Sequence, residues 1–594
     1  MKAELPRNAG IVVLASRALP LARRLQRLLP GAEIQQARAG GAVPLFKSLF
    51  RTGRAIVGIC ASGIVIRALA PLLKDKTAEP PVVAVAQDGS VAVPLLGGHH
   101  GANAMARAIA RATRGTAALT TASEARLGLA IDAPPPGWRV ANPERAKALM
   151  ARLLAGGRVS VKLEAGSAEW LTRHPQISIV EGKADIRVSD RAPSPRERAL
   201  VLHPLVLALG VGASRHCPPK ELATLVRRAL RSAQLATEAI GLVVSIDLKM
   251  DEAAVTALAE RLDVPARFFP ATRLLKETPR LRSPSKATFR ATGCYGVAEG
   301  AALAAVGRQG ALIVAKRKSR NATCAIARAP RTLSPERIGR ARGSLAIIGI
   351  GPGDAAWRTP EASAALAQAS DVVGYRLYLD LLGDALRGKR RHMLGLGAET
   401  DRARLALDLA SEGRAVALVS SGDAGIYGLA SLVFELVDRA ERPEWRRLQL
   451  SVVPGLSALQ AAAARAGAPL GHDFAVISLS DLLTPWTQIA RRLGAAARGD
   501  FVLALYNPRS QRRTHQLETA RRILLRHRRP DTPVVLARNL GRTGEQVTLG
   551  TLAGFETRAV DMLTLVLVGS RATRVLAGDP PRLYTPRGYR AARP

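Results

Sequence analysis

The chain has 594 residues, which is too long for a single hydrophobic core and predicts three or four α/β-sized domains. Hydrophobic residues make up 47% of the chain, but no apolar run reaches bilayer length, so we expect no membrane span and no membrane partner. Lys and Arg exceed Asp and Glu by 40, which would fit a nucleic-acid partner. However, aromatic residues are only 4% and no nucleic-acid module is evident. We therefore favour a solvated Arg-rich surface, or an acidic small-molecule substrate, over a nucleic-acid partner.

The N-terminus and the cysteines bear on the cellular compartment and on disulfide or metal sites. Residues 1–6 lack the apolar centre of a secretory signal, so we expect a cytoplasmic location. The four cysteines are widely separated and form no CxxC motif. This pattern argues against a disulfide framework and against a zinc site, and no metal site is predicted.

Residues 1–140 alternate strand-like apolar runs with amphipathic segments, a pattern typical of an α/β domain. Residues 61–67 and 70–76, followed by the loop 97–103 of sequence GGHHGAN, occur in the order seen in the cobalt-precorrin-5A hydrolase family of cobalamin biosynthesis, which this segment resembles. The loop is one residue shorter than in the family. Either His99 or His100 takes the place of the family histidine, and this side chain either acts on a ligand or caps the next helix.

The pattern weakens over residues 141–198, which are interpreted as a central region and linker, with a Pro-rich stretch at 190–196. Residues 199–328 resemble the C-terminal domain of the same hydrolase family. Lys249, Glu299 and Lys316 end apolar runs, where each either meets a ligand or is a solvated charge.

The resemblance implies hydrolysis of a lactone on a corrin precursor with release of a two-carbon fragment. Such chemistry needs a base or an activated water and an oxyanion donor, and the sequence identifies neither. A non-catalytic module that binds or passes on a corrin intermediate is therefore an open alternative for this half.

A second linker at 329–343 precedes the run 344–354, which predicts a strand, a glycine loop and a helix that begins at Thr359 and Pro360. The loop has the glycine spacing of a dinucleotide site. However, Pro352 removes a backbone donor and Asp354 places a carboxylate where a phosphate would lie. These two residues argue against NAD.

Several later runs share one resemblance: 416–428, 450–460, 471–486, 501–509 and 534–546. They resemble the tetrapyrrole methylases that use S-adenosyl-L-methionine, and within them the precorrin-3B C(17)-methyltransferases. The resemblance implies a multidomain α/β protein whose residues 344–575 form a two-lobed tetrapyrrole methylase (class III methyltransferase) fold, followed by a basic tail at 576–594. It further implies methylation of a polycarboxylate corrin precursor with ring contraction.

The resemblance also implies where the methyl donor binds, in a cleft between the two lobes. The matching positions are Pro352, Ser421, Gly422, Asp423, Ile426, Ser457, Ala458, Tyr506, Leu540 and Gly541. Small residues at such positions let backbone groups approach a nucleoside closely. For the glycines, a turn requirement alone is the alternative.

Ring contraction releases a hydroxyl proton, so a general base is expected. The candidates are Asp423, His472, Asp473 and Asp481, with Asp354 as a weaker one near the substrate; each of them also fits a cap or a turn. Arg509, Arg538 and Arg542 are candidates for pairing with substrate carboxylates, or for a solvated surface. The family implies a homodimer through the methylase domain, and other corrin-pathway enzymes are candidate partners. Whether the substrate carries cobalt is left open.

Overall fold

In the computed structural model, the described residues are 5–6, 8–29, 31–37, 41–75, 79–119, 127, 129–132, 134–395, 397–439 and 441–589. The chain divides into two compact units, Met1–Arg342 and Gly343–Pro594. Within the described ranges, no helix is both long enough and apolar enough to cross a bilayer.

The first sheet of the first unit has six strands and follows the predicted alternation of strands and helices. Its pairing is parallel except between the fourth and fifth strands of the sheet order. In sheet order the strands are Glu33–Gln36, Gly10–Val13, Ile56–Ile59, Val82–Val85, Val91–Leu96 and Thr116–Ala117. The helices are Leu19–Leu28, Val43–Arg51, Ser62–Leu69 and Ala102–Thr113.

The GGHHGAN loop leads into the helix Ala102–Thr113 through two glycines in the left-handed region, Gly97 and Gly101. The His100 ring is exposed, and its Nδ1 lies 3.3 Å from the carbonyl oxygen of Glu79. The side chain of His99 lies outside the described part of the chain. The position of His100 therefore fits a loop contact, and the choice between the two histidines stays a prediction.

A second sheet occupies the region that the sequence suggested was a central segment and linker. Its strands, in sheet order, are Trp138–Val140, Leu200–Pro204, Ile186–Val188, Val159–Leu163 and Ile177–Ile179, with helices Ala146–Leu154 and Glu169–Thr172. The sheet has its own core, which includes the fully buried Val161, Leu171 and Ile186. The stretch 190–196 begins with Asp190, which is 1% exposed and accepts two hydrogen bonds from Arg328, so this end of it is anchored.

The third sheet of the first unit is mixed. Its strands, in sheet order, are Ala266–Phe269, Ile240–Ile246, Leu207–Ala213, Ala322–Arg328 and Ala311–Lys318. Its helices are Pro219–Ser232, Ala253–Leu262, Ala271–Leu275, Lys286–Thr292 and Val297–Val306. Gly210 lets the helix Val297–Val306 pack directly on the central strand, because a Cβ there would overlap the backbone of Ala298.

The three charged residues predicted at ends of apolar runs all have partners inside this domain. Glu299 is 1% exposed and accepts hydrogen bonds from the backbone N–H groups of Arg282, Ser283 and Lys316 at 2.8 to 3.0 Å. The Lys316 ammonium donates to the carbonyl of Ser283, and Lys249 lies 3.8 Å from Glu252. Glu299 is therefore a buried structural carboxylate and not a solvated charge.

The first lobe of the second unit is a five-stranded parallel sheet. Its strands, in sheet order, are Arg390–Leu394, Asp371–Tyr375, Ala415–Ser420, Ser344–Gly349 and Gln449–Val453. Its helices are Pro360–Gln368, Arg376–Leu382, Glu399–Ser411 and Ala430–Asp438. The predicted strand, loop and helix start are confirmed: Thr359 accepts a hydrogen bond from the N–H of Ala362, and Pro360 is the first helical residue.

The second lobe has a mixed five-stranded sheet. Its strands, in sheet order, are Phe474–Ser478, Val502–Tyr506, Thr564–Val568, Pro533–Arg538 and Gln546–Thr551, and the helices of this half are Ala458–Ala466, Trp486–Arg498 and Gln516–Leu525. A small sheet joins Gly467–Ala468, Arg582–Tyr584 and Arg574–Leu576. The start of the predicted basic tail is therefore folded: Leu583 is 1% exposed within this domain.

Candidate active site

Three loops meet at the carboxyl edge of the parallel sheet of the first lobe. They follow the adjacent strands Ser344–Gly349, Ala415–Ser420 and Gln449–Val453. Gly351 and Gly422 exchange two backbone hydrogen bonds, at 3.1 and 2.8 Å, so the first two loops are paired. Ligands of open parallel sheets bind at such an edge, where neighbouring strands send their loops together.

Glycine is required where these loops touch. A Cβ on Gly349 would lie 2.6 Å from the carbonyl oxygen of Gly422 and 2.8 Å from the nitrogen of Gly455. Both neighbours are backbone atoms, so neither can move aside as a side chain would. A side chain at Gly349 would therefore push the three loops apart.

Asp423 joins two of the loops. Its Oδ1 accepts a hydrogen bond from the N–H of Gly425 at 2.8 Å, and its Oδ2 accepts one from the N–H of Gly455 at 3.0 Å. Both carboxylate oxygens are thus engaged by backbone donors. This geometry makes Asp423 a residue that positions the loops and a poor general base.

The second lobe brings its own residues to the same edge. Tyr506 ends a central strand, and its hydroxyl accepts a hydrogen bond from the N–H of Leu459 at 3.0 Å. Ser457 caps the helix Ala458–Ala466 in a capping box with Gln460. Burial raises the pKa of the Tyr506 hydroxyl, so it stays protonated at neutral pH.

Arg542 ties the second lobe to the first. Its Nε donates to the carbonyl oxygen of Pro352 at 2.8 Å, and its guanidinium donates to the Ser421 hydroxyl at 3.0 Å. Gly541 lies against Gly353 so closely that a Cβ on Gly353 would be 2.6 Å from the carbonyl carbon of Gly541. Arg542 thus joins the loops of Pro352 and Ser421, whereas the sequence predicted a partner for substrate carboxylates.

Gly422 lies among small residues of these loops, and an added Cβ would be accommodated without a clash. The backbone of Gly422 is left-handed, with φ +67°, but a Cβ there would meet nothing closer than 3.8 Å, and the nearest atoms belong to Ala458 and Ser457. These three residues were predicted to contact the cofactor, and the fold brings them together. Ile426, on the same loop, is 37% exposed, whereas Leu540 is buried in the core beside Tyr506. Small residues with an apolar border fit a nucleoside.

The other predicted substrate residues already have partners inside the protein. Asp354 caps a short helix by accepting from the N–H of Ala356 at 2.7 Å. Arg509 donates to the carbonyl of Thr557, and Arg538 pairs with Asp561 at 2.8 Å. The contacts of Arg509 and Arg538 would compete with a substrate carboxylate, and the Asp354 carboxylate is already engaged as a helix cap.

His472 and Asp473 lie away from the loops. They precede the amino end of the strand Phe474–Ser478, with side chains 58 and 78% exposed, and the N–H of Asp473 bonds the His472 ring at 2.9 Å. Tyr506 pairs in register with Ser478 at the other end of that strand. Five residues of strand separate the two ends by about 17 Å. The sequence prediction of a catalytic role for these two residues is therefore not supported by their position, because the strand direction carries them to the wrong edge.

Asp481 is on the correct edge, three residues beyond Ser478. Its Oδ2 accepts a hydrogen bond from the Gln516 amide at 2.8 Å, while its Oδ1 has no hydrogen bond to any residue that the structure describes. Arg513, which is 6% exposed, binds the carbonyl of Asn507 and the hydroxyl of Ser480 next to it. Of the four predicted catalytic residues, Asp481 combines an available carboxylate oxygen with a position beyond the carboxyl end of the strand Phe474–Ser478.

Sequence reasoning missed Tyr427. Its hydroxyl donates to the carbonyl of Val476 at 3.0 Å and accepts from the N–H of Ser478 at 3.1 Å. Its ring lies 5.5 Å from the ring of Tyr506. A large residue between Gly425 and Gly428, in the loop that follows the strand Ala415–Ser420, was the available signal.

The comparisons with known proteins agree with this architecture. The profile of the Tetrapyrrole (Corrin/Porphyrin) Methylases matches residues 344–556, and the profiles Cobalamin synthesis G N-terminal and Cobalamin synthesis G C-terminus match residues 44–124 and 207–327. The chain belongs to the tetrapyrrole methylases, with the methylase in the second unit and cobalamin synthesis G segments in the first. The chain therefore combines two sequence families of cobalamin biosynthesis, as the sequence predicted.

Three relatives show the extent of the similarity. The second unit is similar to "Precorrin-3B C(17)-methyltransferase" of Sinorhizobium sp, 42% identical over 42% of this chain and 98% of the relative. It is similar to "Probable cobalt-factor III C(17)-methyltransferase" of Salmonella typhimurium, 44% identical over 41% of this chain and 99% of the relative. "Cobalamin biosynthesis protein CobIJ" of Mycobacterium tuberculosis is 47% identical over 42% of this chain, which spans only 48% of that relative's length.

Proposed function

We propose that the second unit transfers a methyl group from S-adenosyl-L-methionine to ring carbon 17 of a tetrapyrrole in cobalamin biosynthesis. The observation that carries this proposal is the convergence of Gly422, Ser457 and Ala458 at the edge where Arg542 joins the loops of Pro352 and Ser421. The names of the full-length relatives support the position that is methylated.

The residues of the loops at this edge of the sheet fit the methyl donor. When bound, S-adenosyl-L-methionine supplies a methyl group on a positively charged sulfur, which leaves as a neutral thioether when the new carbon–carbon bond forms. Asp423 and Arg542 hold the loops in place, and the Tyr506 hydroxyl binds the first turn of the helix Ala458–Ala466 through the Leu459 N–H. Holding donor and acceptor in line accounts for much of the rate enhancement in such a transfer.

We assign the general base to Asp481. The precorrin-3B reaction includes ring contraction, during which a substrate hydroxyl loses its proton. The Oδ1 atom of Asp481 is available for that proton, while the Gln516 amide holds the other oxygen. A carboxylate fixed in this way is oriented for proton transfer.

The relatives' names differ over the metal state of the substrate, since one is named for precorrin-3B and the other for cobalt-factor III. The test is to incubate the full chain with labelled S-adenosyl-L-methionine and each tetrapyrrole separately, and to analyse products by mass spectrometry. One added methyl group on either tetrapyrrole supports the proposal and identifies the metal state. No methyl incorporation into either one contradicts it.

For the first unit we propose lactone hydrolysis on a cobalt-loaded corrin precursor, supported by the two profile matches at residues 44–124 and 207–327. The full chain, given the lactone-bearing cobalt precursor without methyl donor, is expected to release acetaldehyde. If the precursor binds but no acetaldehyde appears, the first unit is a binding or channelling module.

A homodimer formed by the second unit is part of the same proposal, and analytical ultracentrifugation tests it.

A further inference from the structure

Tyr427 has a conformation that its own chemistry does not favour. It is a non-glycine residue at φ +51°, in the left-handed region, and its side chain is 54% exposed. This backbone conformation is unfavourable for a bulky residue, and such a residue adopts it only when surrounding contacts hold the residue in place. An exposed tyrosine that is nevertheless fixed calls for an explanation.

Its hydroxyl provides the fixation. Phe474–Ser478 is the edge strand of the second-lobe sheet, so some of its backbone groups lack a neighbouring strand. The Tyr427 hydroxyl binds the Val476 carbonyl and the Ser478 N–H on this edge, across from its own loop in the first lobe. The Tyr427 ring is therefore held in one position between the two lobes, next to the Tyr506 ring.

An exposed positive charge lies on the helix Trp486–Arg498, which packs against this edge strand. Arg492, on the exposed face of the helix Trp486–Arg498, makes no hydrogen bond or ion pair with any residue in the described ranges. Burial raises the pKa of the Tyr427 hydroxyl, while the Ser478 N–H and the charge of Arg492 oppose that effect. By contrast, Arg509, Arg538 and Arg542 all have partners within the protein.

The loop between the strand and this helix adds apolar surface. Leu482 and Leu483 are 79 and 98% exposed, and they follow Ser478 by only four and five residues. Two adjacent leucines this exposed are unusual unless a ligand or partner covers them. An apolar border with a cation matches a macrocycle that has carbon-rich faces and a carboxylate rim.

We propose that Tyr427 and Arg492 form a substrate subsite: the tetrapyrrole packs against the Tyr427 ring, and one of its carboxylates pairs with Arg492. The donor-site loop at 420–428 then holds the methyl donor with Gly422 and the acceptor with Tyr427, five residues apart. This subsite rests on the proposed methyl transfer to a tetrapyrrole. Tyr427 is a positioning residue for the acceptor, and Arg492 contributes specificity for its carboxylate.

The test measures the binding of two ligands to the full-length protein. Absorbance titration gives the affinity for precorrin-3B and for cobalt-factor III, and calorimetry gives the affinity for S-adenosylhomocysteine. The variants are Tyr427→Phe, Tyr427→Leu and Arg492→Gln. The matched control is Arg491→Gln, which removes an exposed arginine one position away on the same helix, about 100° around its axis.

We expect Arg492→Gln and Tyr427→Leu each to weaken tetrapyrrole binding about tenfold, the effect of losing one charge-assisted hydrogen bond or a buried aromatic contact. Tyr427→Phe keeps the ring but loses the two hydrogen bonds that fix it, so it should weaken tetrapyrrole binding by less than Tyr427→Leu does; equal losses in the two variants would indicate a purely structural role. Binding of S-adenosylhomocysteine by the Arg492→Gln protein, and all binding by the Arg491→Gln protein, should stay within about twofold of wild type.

The subsite and the proposed function fail in different ways. If the wild-type protein methylates a tetrapyrrole but Arg492→Gln and Tyr427→Leu bind it normally, the subsite is refuted and the function stands. If the variants lose tetrapyrrole binding as expected but the wild-type protein transfers no methyl group, the function is refuted and the subsite stands. If the wild-type protein binds neither tetrapyrrole, both are refuted.

Discussion

Replacing Gly422 by alanine separates backbone strain from loss of ligand space. The left-handed backbone at φ +67° makes any side chain unfavourable there by about 1 kcal/mol. The added Cβ would meet no protein atom within 3.8 Å, so no steric clash adds to that cost. The methyl group would instead enter the space that we assign to the methyl donor.

Overpacking by one methyl group costs about 1 to 3 kcal/mol, and 1.4 kcal/mol corresponds to tenfold in affinity. We therefore expect Gly422→Ala to weaken S-adenosylhomocysteine binding at least about tenfold in calorimetry, while the free energy of unfolding in urea falls by only about 1 kcal/mol.

The control is Gly388→Ala. Gly388 has a similar backbone, with φ +78°, and no atom within 4 Å of an added Cβ, but it lies before the strand Arg390–Leu394, away from the loops of the site. This variant should lose similar stability and bind S-adenosylhomocysteine normally. If Gly422→Ala binds the ligand as well as Gly388→Ala does, Gly422 does not lie at the donor site.

Three further predictions concern other carboxylates. Asp481→Asn should abolish product formation while leaving S-adenosylhomocysteine affinity unchanged in calorimetry, because it removes only the proposed base; normal turnover would reassign that role. Glu299→Gln should destabilise the first unit by about 2 kcal/mol in urea unfolding, since three backbone donors lose a charged acceptor, and methyl transfer should be unaffected. Burial alone would raise the pKa of Asp371, but hydrogen bonds from His392, Ser370 and Arg390 bring it down to about 2. Because this folded-state pKa lies below the unfolded value, Asp371 stabilises the protein by up to about 2 kcal/mol above pH 4, and the stability lost in Asp371→Asn should disappear as the pH falls toward 2.

The sequence predicted the strands, glycine loops and helix starts of the first lobe well because their signals are local. Glycines after buried parallel strands and a cap such as Ser457 depend on a few neighbouring residues, and the structure has them at the expected strand ends. Parallel strands then bring their loops to one edge without further information. The convergence around Gly422 follows from that topology.

Other features depend on distant parts of the chain and were not predicted. The sheet at residues 138–204 has strands of three to five residues, too short for a clear period, and it is completed by pairing across sixty residues. His472 and Asp473 lie next to a motif in sequence, yet strand direction places them at the opposite edge from Tyr506. The partners of Arg538 and Arg542 are similarly set by tertiary contacts, with Asp561 and with the loop at Pro352.

The most direct test of the account is a single-turnover reaction of the full chain with carbon-13-labelled S-adenosyl-L-methionine and either precorrin-3B or cobalt-factor III, followed by NMR of the product. The account predicts one labelled methyl group, attached to ring carbon 17. A label at another ring carbon would contradict the assigned position, and the absence of any label in the tetrapyrrole would contradict methyl transfer itself.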